Sequence, residues 1–236
     1  MKKVIVANWK MNPRTEQAAR KLARESDFKG VVVAPPFPFL EPVEKVLKNA
    51  LLGAQDVFFE NPFPGGAYTG EVSASMLKKI GVSYVIVGHS ERRNLGETDA
   101  VIAKKVKAVL AENLKVILCV GERRQIRSRG MAEVLHFIDS QLKRSLAGVS
   151  SRRNIVVAYE PVWAIGSGKN DRPEDTAVVA NFIRKKLKVP VLYGGSANSK
   201  NISEFFKNGG VDGALVGGAS LNGGEFKELV RRSGIN

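Results

Sequence analysis

The sequence predicts an α/β protein, a closed (β/α)8 barrel in a single domain over residues 1–236, and three observations carry that expectation. Short β-branched runs alternate eight times with candidate amphipathic helices. The runs lack polar alternation, as expected of a parallel sheet covered by helices. No Pro/Gly linker or break in composition divides the chain, and eight units in about 250 residues suit a barrel better than an open sheet.

Strands are expected to begin near Lys3, Val31, Leu51, Tyr84, Lys115, Ile155, Val191 and Gly213. The helices between them are expected from Thr15, Phe39, Ser73, Thr98, Met131, Pro173, Asn198 and Gly223, with boundaries good to about 2–4 residues. The segment Ala100 to Leu110 shows the pattern well: Val101, Ile102, Val106 and Val109 can share one stripe, leaving Lys104, Lys105 and Lys107 wet. In a barrel of this kind chemistry gathers where strands end and lead into their helices.

At 44% hydrophobic residues the chain can build a continuous core. No run of about 18 apolar residues is present, and Met1, Lys2 and Lys3 lead straight into the strand-like Val4 to Ala7, so neither a membrane span nor a signal peptide is expected and a cytoplasmic protein is. Cys119, the single cysteine, lies in the apolar run Val116 to Val120 and is expected to be a buried, inert thiol. With two histidines and one cysteine, a His/Cys metal site is poorly supported. The formal charge of +14 favours anionic partners. The basic residues are spread in small groups over the helical segments with little aromatic interleaving, which reads as solvated outer faces and not as a specific nucleic-acid surface.

Period two in the first strand places Asn8 and Lys10 on one side and Trp9 on the other. An inward ammonium asks for a ligand anion, or else for a resident carboxylate such as Glu91. The fourth strand, Tyr84 to Val87, ends in Gly88 and His89. The helical turn that follows would disfavour imidazolium and leave a neutral ring able to donate to a carbonyl oxygen. Glu91, Arg92, Arg93 and Glu97 read as a charge network ordering that corner. The sixth strand delivers Glu160 beside Pro161, the apolar Val162 to Ile165 and the glycine-punctuated Gly166, Ser167 and Gly168, which together could shield a base from water. The seventh and eighth strands end in Gly194, Gly195 and Ser196, and in Gly217, Gly218, Ala219 and Ser220. Double glycines on adjacent strand ends offer bare amides to a phosphate dianion.

These stretches, together with Ala7 to Asn12 and Ala67 to Glu71, resemble the triosephosphate isomerase family over nearly the whole chain. The resemblance implies a TIM barrel whose catalytic residues are Asn8, Lys10, His89 and Glu160. It assigns substrate phosphate binding to Gly166, Ser167, Ser196, Gly217 and Gly218, gives Glu91 a supporting role, and makes 161–169 a closing lid. In that family's own mechanism the glutamate is the base and a neutral histidine the electrophile, so those roles are carried over with the resemblance. It also implies interconversion of dihydroxyacetone phosphate and D-glyceraldehyde 3-phosphate, in glycolysis and gluconeogenesis, with no cofactor and no metal. A homodimer through Gly66 to Glu71 is implied too, with Thr69 near the neighbour's Asn8 and Lys10. Ser167 stands where threonine is usual, Asp56 where asparagine is usual, and Phe58 to Gly65 is slightly longer than the common loop. Two other readings share features: a phosphosugar epimerase barrel with the same phosphate cradle, and a nucleic-acid binder using the positive charge.

Overall fold

A computed structural model describes residues 3–61, 65–164 and 171–235. Eight parallel strands pair in sequence order, and the first closes on the last: β1 (Val4–Asn8), β2 (Val31–Ala34), β3 (Leu51–Ala54), β4 (Val82–Val87), β5 (Lys115–Val120), β6 (Ile155–Tyr159), β7 (Val191–Tyr193) and β8 (Gly213–Val216). The helices are α1 (Glu16–Glu25), α2 (Leu40–Glu44), α3 (Ala74–Ile80), α4 (Ser90–Asn94), α5 (Asp99–Ala111), α6 (Arg124–Arg127), α7 (Met131–Ser145), α8 (Pro173–Leu187), α9 (Ile202–Lys207) and α10 (Gly223–Ser233). Among the described residues no helix is long and apolar enough to cross a membrane.

Period two along each strand divides the core into two shells. Val6, Val32, Tyr84, Ile86, Ile117, Cys119, Ala158, Leu192 and Leu215 form one cluster inside the barrel. Their alternate neighbours, such as Ile5, Ala7, Val85, Leu118 and Val157, join the helices in the larger outer cluster. Both faces of the strands are therefore apolar along most of their length, which is why the strand runs carry no polar alternation. Side-chain oxygens set several helix starts: Thr15, Ser73, Thr98 and Asn222 each accept from an amide three residues on.

Two boundaries and one added helix differ from the sequence expectation. The fourth strand begins two residues early, at Val82, directly after the left-handed Gly81 that ends α3. The helix expected from Asn198 begins at Ile202, because the Asn198 side chain accepts from the amides of Lys200 and Asn201 and Asn201 returns a bond to the Asn198 amide. Finally, α6 is a single turn after β5 that the hydrophobic pattern did not mark.

Lys105 corrects another expectation. It was assigned to the wet face of its helix but is buried, with Nζ 2.6 Å from Asp56 and paired with Glu97. Arg92 approaches Asp56 at 3.0 Å from the other side. Two acids facing inward at the top of the barrel turn this lysine in, since burying them unpaired would cost more.

A second ionic corner ties α5 to α4 and α7. Asp99 accepts from Arg93 (2.6 Å), Arg144 (2.7 Å) and Ser145 (2.8 Å). Burial alone would raise its carboxyl, but these bonds outweigh it and hold it below the ordinary 3.8. A group depressed in the folded state adds stability above its unfolded value and loses it as pH falls through the folded one. Asp99→Asn is therefore expected to cost about 2 kcal/mol at neutral pH. The difference from the parent should shrink on acidification below about pH 4, as urea unfolding at pH 7 and pH 3 would record.

Candidate active site

At the C-terminal mouth of the barrel a cavity of 240 Å³ is lined by Asn8, Lys10, His89 and Glu160, and by the glycine-rich ends of β7 and β8. Gly88 makes the turn that presents His89. Its φ is +72°, and a Cβ there would sit 3.0 Å from Ile102. His89 is buried and caps α4, its Nδ1 accepting from the Glu91 amide at 3.2 Å. With Nδ1 accepting, Nε2 is the ring nitrogen left to donate into the cleft.

That Nε2 lies 3.1 Å from Oε1 of Glu160, which is 2% exposed. The approach is not aligned as a hydrogen bond, and Oε1 is left without a donor while Oε2 accepts from the Ser90 amide at 2.9 Å. A buried carboxylate oxygen without a donor costs about 1–3 kcal/mol, so packing alone is a poor reason for it. Glycine gives the carboxylate its space. A Cβ on Gly194 would meet Glu160 Cγ at 2.8 Å, and one on Gly121 would overlap the Glu160 carbonyl at 1.6 Å. Cys119 lies inside the barrel as expected. Burial pushes its thiol well above the ordinary value, and the charge of Glu160 pushes it further, so the thiol stays protonated.

Lys10 is less buried than its position suggested, and its side chain is 31% exposed. Its ammonium lies 2.6 Å from Glu91, the resident carboxylate the sequence offered as a partner, while its amide donates to Asn8 Oδ1 at 3.1 Å. Lys10 has φ +53°, and its carbonyl accepts from Gln55 at 2.8 Å. Ser196, Gly217 and Gly218 line the same cavity. A Cβ on Gly217 would press on Lys10 Cε at 3.3 Å, whereas one on Gly218 would meet open space. Glycine at 218 is therefore not required by the protein's own packing, and it opens a 3-10 turn whose first amides have no intrahelical acceptor. Gly166, Ser167, Gly168 and Lys169 lie outside the described residues.

The flanks of that segment are described, and the sequence reading passed over what holds them. Glu122 is fully buried and accepts from Trp163 Nε1 (2.9 Å) and Tyr159 Oη (3.0 Å). Burial pushes its carboxyl up, against the pull of these donors and Arg127. Arg127 in turn donates to Asp171 (2.8 Å) and Asp175 (2.7 Å). One polar cluster thus anchors the chain on both sides of 165–170. Only the Glu-Arg-Arg run after β5 could have hinted at it.

A closed eight-stranded barrel, with a buried carboxylate and an imidazole meeting beside glycine-rich strand ends, defines a TIM-barrel isomerase. The family model described as triosephosphate isomerase matches residues 3–233. The chain belongs to the triosephosphate isomerase family. It is 45% identical to the triosephosphate isomerase of Carboxydothermus hydrogenoformans, over 98% of this chain and 99% of that one. It is 44% identical to that of Thermus thermophilus, over 99% and 100%. A crystal structure of triosephosphate isomerase from Bartonella henselae superposes with a TM-score of 0.86 at 35% identity, covering 98% of this chain and 99% of that one.

Proposed function

We propose that this chain interconverts dihydroxyacetone phosphate and D-glyceraldehyde 3-phosphate, with Glu160 moving the proton. The carboxylate takes a proton from the carbon beside the carbonyl, and the electron pair moves onto the carbonyl oxygen. His89 gives its Nε2 proton to the carbonyl oxygen and takes the proton of the neighbouring hydroxyl in exchange, the ammonium of Lys10 offsets the enediolate charge, Asn8 adds a hydrogen bond, and Glu160 returns its proton to the neighbouring carbon as the second carbonyl forms. Glu91 supports Lys10, to which it is paired at 2.6 Å. The bare amides around Ser196, Gly217 and Gly218 receive the phosphate, joined by Gly166 and Ser167 as the 161–169 segment closes. The observation that carries this reading is the donorless Oε1 of Glu160, buried beside His89 Nε2 in the cleft that Lys10 also lines. Isomerisation of glyceraldehyde 3-phosphate in metal-free buffer, suppressed competitively by a phosphorylated enediolate mimic, is the expected result. Absence of turnover, or inhibition without competition, would overturn it. This reaction places the enzyme in glycolysis and gluconeogenesis, and hence in the cytoplasm.

The working form we propose is a homodimer. Residues 65–71 are exposed, and Met11 and Leu95 stand 91% and 80% exposed. Those two residues line a 470 Å³ hollow with Phe37, Lys10 and His89, next to the catalytic cleft. A second copy's Gly66 to Glu71 segment would fill it, bringing Thr69 to Asn8 and Lys10. Leu95→Glu should then shift sedimentation towards monomer and lower activity together; a fully active monomer at working concentration would refute the arrangement.

A further inference from the structure

The opposite mouth of the barrel, where the strands begin, holds a cavity of 640 Å³. Its apolar wall comes from Val4, Leu51 and the ring of Tyr84, and three lysines stand around it: Lys3, Lys29 and Lys115. Period two puts Lys115 in the inward register of β5, below Ile117 and Cys119 of the interior cluster. An inward cation at the base of a strand is unusual, because that register elsewhere in β5 is apolar. Its Nζ lies 4.8 Å above the Tyr84 ring and 3.2 Å from the Tyr84 hydroxyl, on the neighbouring strand in register. Lys3 donates to the Ser233 carbonyl at 3.1 Å.

Among the described residues none of these lysines has a carboxylate within ion-pair distance, and no acidic side chain lines the cavity. Acids on nearby loops are engaged elsewhere: Asp27 by the amides of Lys48, Asn49 and Ala50, and Asp212 by Arg184. Three like charges around one concave apolar surface repel one another, and a guest anion with an apolar body would relieve them while covering the wall.

We propose that this N-terminal mouth is a binding site for a small amphipathic anion, a flat or acyl apolar body carrying one carboxylate, sulfonate or phosphate. Its ligand lies at the far end of the strands from the catalytic cleft, so the two sites are occupied independently. The test is calorimetric titration of the intact protein with naphthalene-2-sulfonate, the cleft being held by a phosphorylated enediolate mimic. One saturable site per chain is expected. Affinity should fall by at least about tenfold in Lys29→Ala/Lys115→Ala, and the uncharged 2-naphthalenemethanol should bind as weakly as that variant's sulfonate. Leu51→Glu, which places a repelling charge on the apolar wall, should lose the site too, and isomerase activity with unchanged thermal melting shows each variant folded. The proposal is overturned by no binding, by displacement with the enediolate mimic, by equal affinity for the neutral compound, or by lysine variants that bind as the parent does.

Discussion

Glu160→Gln is expected to leave the fold intact and to lower turnover by at least about 10² to 10⁴, the range a positioned base supplies. The amide is nearly isosteric, so the glycine-made space at Gly194 and Gly121 still fits it. Its oxygen can keep the Ser90 amide bond that Oε2 now accepts at 2.9 Å. What it loses is the ability to take a proton. The loss should appear in kcat with KM little altered, because the groups proposed to bind substrate, Lys10, His89 and the glycine-rich strand ends, are untouched. Circular dichroism and thermal melting matching the parent, beside collapsed turnover, is the expected pair of results. A variant retaining most of its activity would remove Glu160 from proton transfer.

How far the sequence alone reached follows from what kinds of physics leave local traces. Strand runs and their order were legible because both strand faces are covered, so burial writes itself into consecutive letters such as Ile155 to Tyr159. The cleft residues were legible because strand ends deliver them: Asn8 closes β1, His89 follows β4 by one glycine, and Glu160 is the next residue after β6. Closure of the barrel then brings them together, and no further long-range information is needed.

Partnerships between distant segments left no such trace. Glu122 and Arg127 brace Trp163 on one side and Asp171 on the other across up to 44 positions, and nothing in the letters couples them. Gly121 reads as an ordinary turn residue until the Glu160 carbonyl is seen against it. Lysine was the hardest letter to read. Lys104 and Lys107 are wet while Lys105 between them is buried, and one helical stripe cannot separate them without knowing where Asp56 and Glu97 lie. The Lys10–Glu91 pair was foreseen as an alternative to a ligand, and it is the partner the ammonium has at 2.6 Å.

Lys105→Met should be the most destabilising of these substitutions, at about 3–5 kcal/mol, the usual result of removing one partner from a buried ionic cluster. The volume is nearly kept, so the cost comes from what stays behind. Asp56 retains Arg92 at 3.0 Å, but Glu97, 5% exposed, is left with Arg92 only at 3.9 Å and already has one oxygen without a donor. Glu97 is then a buried carboxylate with no cation closer than 3.9 Å, which is what makes breaking such a cluster costly. Adding Glu97→Gln removes the stranded charge and should recover at least about half of the loss, a coupling that a double-mutant cycle isolates. Since the cluster joins the end of β3 to α4 and α5 beside His89, the single variant should also turn over more slowly at temperatures where it is still folded. A Lys105→Met protein as stable as the parent at neutral pH would show that the cluster contributes nothing, and that the lysine is buried for another reason.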